Sequence, residues 1–230
     1  MISHTNTLAI FDALDAVVPA YETDVAVLFL PLSHVFERVA GHLYGLKVGI
    51  TAHYTESQDT LMEDIQTKRP TIILAVPRFL EKVYARIIAR IKAQPSWRRR
   101  IFSWAQDVGG KVNLIKERKE RIPLSLAIKH RLAYLLIFRK LKEKLGGRLR
   151  WMTAAGAPLS REIANLFNGA GIFVMEGYGL TESTAPVSLN VIQDYRFGTA
   201  GRPLPCNQVR IAPDGEILVR RSNIWSPSSS

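Results

Sequence analysis

The stretch Glu176-Gly-Tyr-Gly-Leu-Thr-Glu-Ser183 gathers two glycines, an aromatic ring, a threonine hydroxyl and two carboxylates within eight residues. An apolar run, Gly171-Ile-Phe-Val-Met175, leads straight into it. A strand ending in such a turn can hold a base against the Tyr178 ring and phosphates against backbone N–H groups and the Thr181 hydroxyl. Glu182 could hold Mg²⁺, an ion that takes one or two protein carboxylates together with phosphate oxygens. This is the chemistry of a nucleotide site. Each residue also has a plainer reading. Gly177-Tyr-Gly179 alone could be a tight turn with a surface tyrosine. Thr181 could be a helix N-cap, and Glu182 a charge favoured at a helix N-terminus. His34 could line a substrate pocket or pack at the start of a helix. The motif does not match GxGxxG, and nothing in the chain matches GxxxxGK[ST].

Such a turn needs a platform. At 230 residues and 47% hydrophobic content, the chain can bury a sizeable core. Residues 25–30 form an apolar run stopped by Pro31 and read as a strand buried on both faces. Ser33 suits the cap of a helix over 34–46. A second strand is expected at 47–52, a helix at 59–68, a third strand at 71–76 closed by Pro77, and a helix over 78–93. The pattern resumes with a strand at 148–153, a turn at 154–158, a helix from the Ser160 cap to 168, and a strand at 171–175. Strands at 208–212 and 216–220 flank Pro213-Asp-Gly215, a hairpin signal. The fold class expected is α/β: a layered, mostly parallel sheet with helices on both faces, a helical insertion and a C-terminal β-hairpin. Ligands in such sheets sit beyond the carboxyl ends of the strands. The turns 31–34, 154–158 and 176–183 all fall there.

The formal charge is +11, and it is concentrated. Residues 92–150 carry seventeen Lys/Arg against four acids, a net of +13, which leaves −2 for the rest of the chain. Helices are expected at 97–106 and 123–145 within this basic insertion, about 95–147. In the second, Leu124, Ile128, Leu132, Leu135, Phe138, Leu141 and Leu145 recur at steps of three and four, with Lys and Arg on the other face. The segment could lie on an anionic membrane surface, with Trp97, Phe102 and Trp104 at the interface, or be a solvated helical face. No nucleic-acid reading motif accompanies the charge, so nucleic acid is not an expected partner. No apolar run reaches about 18 residues, and residues 1–6 lack a signal-peptide layout. One cysteine, Cys206, excludes an internal disulfide and a cysteine-based zinc site, and the five histidines show no HExxH spacing. A cytoplasmic protein, peripheral at a membrane if the basic segment binds one, is expected.

Tyr178-Gly-Leu-Thr-Glu-Ser183 resembles the signature of the acyl-adenylate-forming superfamily. Leu30-Pro-Leu-Ser-His-Val-Phe-Glu-Arg38, Ala75-Val-Pro-Arg-Phe-Leu-Glu-Lys-Val-Tyr84, Ala154-Ala-Gly-Ala-Pro-Leu-Ser160 and Phe197-Gly-Thr-Ala-Gly-Arg-Pro-Leu-Pro205 narrow the resemblance to long-chain fatty-acid–CoA ligases. It covers residues 1 to about 221. The resemblance implies a two-step reaction. A fatty acid attacks the α-phosphate of ATP–Mg²⁺, giving an acyl-adenylate and pyrophosphate, and the thiol of CoA then displaces AMP. It implies an ATP/AMP-binding set of Gly156, Ala157, Pro158, Glu176, Gly177, Tyr178, Gly179 and Thr181. Tyr178 would stack on the adenine, which Gly156, Ala157 and Pro158 would border. Thr181 and Glu182 would be the catalytic pair, the first on phosphate and the second on Mg²⁺. His34, Gly177 and Gly179 would line the acyl pocket.

The family's phosphate loop, its ribose-binding Asp and its C-terminal domain with a catalytic Lys have no counterpart among these residues. Residues 222–230 no longer follow the family and read as a disordered or aberrant tail. The expectation is therefore a partial AMP-binding domain over 1–221, with little or no ligase activity on its own. The alternative is an inactive nucleotide-binding or membrane-associated fragment, or a partner subunit.

Overall fold

The computed structural model describes residues 2–221; the expected tail at 222–230 lies outside them. Strands β1 (Val25–Leu28), β2 (Thr51–Tyr54), β3 (Ile72–Ile73), β4 (Trp151–Ala155), β5 (Phe173–Leu180), β6 (Ala185–Leu189) and β7 (Arg202–Pro203) form one seven-stranded sheet in the order β2-β1-β3-β4-β5-β6-β7. The first five are parallel; β6 pairs antiparallel with β5, and β7 antiparallel with β6. A separate hairpin pairs β8 (Asn207–Ile211) with β9 (Ile217–Arg221), as its Pro-Asp-Gly turn requires. Val27, Ile73, Met152 and Val174 stand in register across four strands, fully buried. Such continuously apolar strands belong inside a sheet covered on both faces. Helices α4 (Pro77–Lys92), α5 (Ser96–Glu117) and α8 (Arg161–Gly169) pack on one another and on β4 and β5. Helix α1 (His4–Asp15) joins the core through Ile10, Phe11, Ala13 and Leu14, and the segment after β1 packs on β1 and β6.

The amino end of the sheet is tied by a polar knot. Asp24 is buried; it accepts from the Thr71 hydroxyl at 2.5 Å, from Arg150 Nη2 at 2.6 Å and from the Tyr21 N–H at 2.9 Å. Arg150 lies 4.9 Å above the Tyr21 ring, and both Arg150 and Trp151 Nε1 donate to the Pro19 carbonyl. Three strands are thereby locked at their entry. Burial pushes the Asp24 carboxyl up, but its bonds from Arg150, Thr71 and Tyr21 outweigh this and hold it below the usual carboxylate range.

Several sequence expectations need correction. The segment expected as a helix capped by Ser33 is a π-helix, Phe36–Leu43, continuing as α2 (Tyr44–Val48). Ser33 does not cap it; His34 Nδ1 accepts the Phe36 N–H at 3.2 Å. Of the strand expected at 47–52, only Thr51 and Ala52 belong to β2. Lys47 lies in the last turn of α2, ion-paired to Asp15, and Gly49 provides the left-handed exit, so β2 starts at Thr51. Helix α3 (Leu61–Lys68) lies where expected. Helix α5 runs eleven residues beyond the expected end at 106. The second basic helix forms as α6 (Leu124–Ala133), a π-turn (Tyr134–Phe138) and α7 (Arg139–Lys144). Its apolar stripe divides. Phe138, Leu141 and Leu145 are buried, whereas Leu124 is 77% exposed, Ile128 54% and Leu132 49%. Ala133 faces inward in their place. Of the aromatics expected at an interface, Phe102 is buried, Trp104 half-buried and Trp97 exposed.

Candidate active site

Three loops leave the carboxyl ends of β1, β4 and β5 and meet around one cavity of about 480 Å³. That size lies within the roughly 300–1,000 Å³ usual for small-molecule sites. Its rim carries His34, Gly156, Gly177, Tyr178, Gly179, Thr181 and Glu182. Seven of the residues singled out in the sequence therefore share one opening. The cavity then descends along the sheet. Ala26, Ile72, Trp151 and Thr153 form its floor, and Leu14, Val18, Phe36 and Tyr44 its far wall. The interior is mainly apolar; the polar groups collect at the rim.

Each rim element has a local cause. β5 does not stop at Met175 but runs on through Leu180, pairing with β6 and bulging between Tyr178 and Gly179. A bulge re-aims side chains and increases the local twist. A methyl group at Gly177 would meet the Leu189 side chain at 3.0 Å and the Ser188 carbonyl at 3.2 Å, so a neighbour would have to give way. Thr181 and Glu182 occupy the turn between β5 and β6. The Ser183 hydroxyl donates to the Leu180 carbonyl at 2.9 Å and accepts the Leu180 N–H at 3.1 Å, while Thr184 adopts φ +57. The turn is held so that Thr181 and Glu182 remain exposed. The helix N-cap readings of these two residues fall away, because no helix starts there.

The structure does not bring every expected residue to the cavity. Ala157 and Pro158 belong to the exposed turn after β4, of which Gly156, with φ +92, reaches the wall. Glu176 points away because alternate residues of a strand face opposite sides. It is buried, and its Oε1 accepts the Gly198 N–H at 3.0 Å. Burial raises its carboxyl above the usual range, against the pull of the Gly198 N–H. Glu176 thus braces the 190–199 loop. Asn190 does so too, donating to the Arg196 and Thr199 carbonyls and accepting the Arg196 N–H.

Sequence reasoning missed the cavity floor. Trp151 and Thr153 alternate toward it along β4, a period of two that was available in the sequence. Thr153 Oγ1 accepts the Ala75 N–H at 2.9 Å and fixes the end of β3 to β4. It also missed Glu37, whose side chain is wholly buried beneath the π-helix. Burial pushes this carboxyl up to about 7; the Leu30 and Phe29 N–H groups point toward it and oppose the rise, but neither oxygen has a hydrogen bond of normal geometry. At the deep end, Tyr44 donates to Asp15 Oδ1 at 3.0 Å, and burial pushes its hydroxyl up to about 12.

Glu182 makes no ion pair among the described residues. No group of three or more His, Cys, Asp or Glu side chains forms a metal cage among them. One exposed carboxylate at an open rim fits Mg²⁺ held chiefly by phosphate oxygens and water, the usual habit of that ion.

The chain matches the family described as AMP-binding enzyme over residues 1–225. It is 35% identical to the long-chain-fatty-acid–CoA ligase FadD15 of Mycobacterium bovis, over 87% of this chain and 33% of that protein. It is 31% identical to the human long-chain-fatty-acid–CoA ligase 1, over 98% of this chain and 33% of that protein. The chain thus spans about a third of the length of the curated relatives it matches. Among solved structures, a malonyl-CoA ligase with methylmalonyl-CoA and AMP bound superposes with a TM-score of 0.64 at 21% identity, over 98% of this chain and 41% of that one. The N-terminal domain of FACL13 from Mycobacterium tuberculosis superposes with a TM-score of 0.63 at 18% identity, over 96% and 46%. These likenesses establish the fold.

Proposed function

Because the chain belongs to the AMP-binding enzyme family, we propose that it forms part of the adenylate site of a long-chain fatty-acid–CoA ligase. One observation carries this reading: a single cavity joins a polar rim of Tyr178, Thr181 and Glu182 to an apolar interior floored by Trp151. An acyl-adenylate has the same division, a polar nucleotide head and an apolar tail. In this reading Tyr178 stacks on the adenine, Gly156 borders it with Ala157 and Pro158 behind, and Glu176 acts only through the loop it braces. Thr181 donates to phosphate. Glu182 holds Mg²⁺, which would supply charge neutralisation at the phosphates. His34 sits at the junction of rim and interior, beside the carboxylate that attacks the α-phosphate. Phosphate displacement asks chiefly for positioning and charge stabilisation, which such a rim provides. CoA enters in the second step as the thiol that displaces AMP.

The partner reading includes contact between an anionic membrane and residues 95–147, with the protein placed in the cytoplasm and peripheral to that membrane. It is supported by the +13 charge of residues 92–150.

The test is calorimetric binding of a non-hydrolysable palmitoyl-adenylate analogue to the 230-residue chain. Binding is expected, and Tyr178→Ala should weaken it about tenfold, the loss of one base–aromatic stack. Unchanged binding in Tyr178→Ala would count against the assignment. Turnover with ATP, Mg²⁺, palmitate and CoA should be close to zero for these 230 residues alone.

A further inference from the structure

We infer that the outward face of α6 and its π-turn extension is the surface that meets an anionic lipid bilayer. This rests on the reading that residues 95–147 contact a membrane, and it names the face and its mode of contact. The observation is a helix apolar on two sides. Inward, Ala133, Phe138 and Leu141 pack into the core. Outward, Leu124, Ile128, Leu132, Leu135 and Leu136 form a second stripe, each at least 43% exposed. It runs along the helix for roughly 18 Å at 1.5 Å per residue. A surface helix ordinarily carries charge on that side, and an exposed aligned stripe marks an interaction site.

The flanks identify the partner. Lys129 and Arg131 on α6, and Lys140 and Arg139 (the latter paired with Glu143) at the start of α7, are exposed beside the stripe. Apolar side chains bordered by Lys and Arg match a headgroup–acyl boundary of anionic lipid, where the stripe enters the apolar layer and the cations meet phosphates. A second copy of this face would bring two strongly basic segments together, which repulsion opposes. A nucleic acid would satisfy the cations but leave five aliphatic side chains in water. No helix among the described residues is long and apolar enough to cross a membrane, so the contact is superficial.

Flotation of the 230-residue chain with phosphatidylcholine vesicles containing about 30 mol% phosphatidylserine tests this, with pure phosphatidylcholine vesicles as the neutral arm. The chain is expected to float with the anionic vesicles and to be released by about 0.5 M salt. The triple change Ile128→Gln, Leu132→Gln, Leu135→Gln should lower partitioning at least about tenfold. Glutamine keeps helix propensity, and the positions are exposed, so the fold should survive, as circular dichroism would verify. Leu8→Gln, at an exposed site on α1, should float as the parent does. Absence of flotation in the parent overturns both the membrane reading and the assigned face. Flotation unaffected by the triple change, yet lost in Lys129→Glu with Lys140→Glu, keeps the membrane and overturns the stripe. A parent that sediments as a dimer, with the triple variant a monomer that still floats, makes the stripe a contact between copies and overturns the inference.

Discussion

At the amino end of β1, β3 and β4, Asp24, Thr71, Arg150 and Trp151 bind one another or the Pro19 carbonyl. At the carboxyl end of the same sheet, Gly156, Tyr178, Thr181 and Glu182 surround open space. The first arrangement spends its polar groups on the fold; the second leaves them turned toward whatever occupies the cavity. The contrast teaches where a substitution should be felt. At the amino end it should alter stability, and at the carboxyl end binding.

The largest expected effect lies in the knot. Asp24→Ala leaves a partly buried guanidinium without its carboxylate, and breaking a buried pair costs about 3–5 kcal/mol. Urea denaturation should record that loss, with ligand affinity unchanged in whatever fraction remains folded. Because the folded-state carboxyl of Asp24 is held below its unfolded value, its contribution is present above the unfolded pKa and lost as pH falls through the folded one.

Glu37 is the next and has the opposite sign. Its carboxyl is raised from 4.5 to about 7, so the folded state favours the protonated form. Its contribution is fully present below about pH 4.5 and is lost as pH rises through about 7. Glu37→Gln should therefore stabilise the chain by about 1–3 kcal/mol at pH 8 and by little at pH 4.5. Denaturation midpoints at the two pH values check this. A Gln variant no more stable at pH 8 than the parent would show that the carboxylate is already satisfied.

The smallest stability effect belongs to the rim. Glu182→Gln should shift the denaturation midpoint by less than about 0.5 kcal/mol, as exposed positions without partners do. The same change should abolish the Mg²⁺ dependence of ATP binding, measured by calorimetry with and without the ion. A large stability change in Glu182→Gln would erase the distinction between the two ends.

The sheet was legible wherever an apolar run met a proline. Residues 25–30 and 71–76 do carry strands β1 and β3, but these end at Leu28 and Ile73, short of Pro31 and Pro77. The hairpin at residues 207–221 was equally plain from its Pro-Asp-Gly turn. The rim was legible because parallel strands deliver their following loops to one edge of the sheet, where the loops after β1, β4 and β5 lie. Three things were hidden. Residues 47–52 look β-prone, but Lys47 is held in α2 by Asp15, a partner 32 residues away. Glu176 stood within the motif, yet strand alternation turned it to the opposite face. The 124–145 periodicity was read as one continuous apolar stripe, whereas only its second half meets the core. Periodicity reports that a helix has an apolar side, not what that side touches.

The π-helix Phe36–Leu43 brings Phe36, Ala40 and Tyr44 to the same wall. A wider coil of this kind holds one residue more than an α-helical path would need, and π segments cluster at functional positions. Deleting a single residue between 36 and 43 would let the segment rewind and swing Tyr44 off the deep end. The room inside the cavity can thus be retuned by deleting a residue of this coil that does not itself line it.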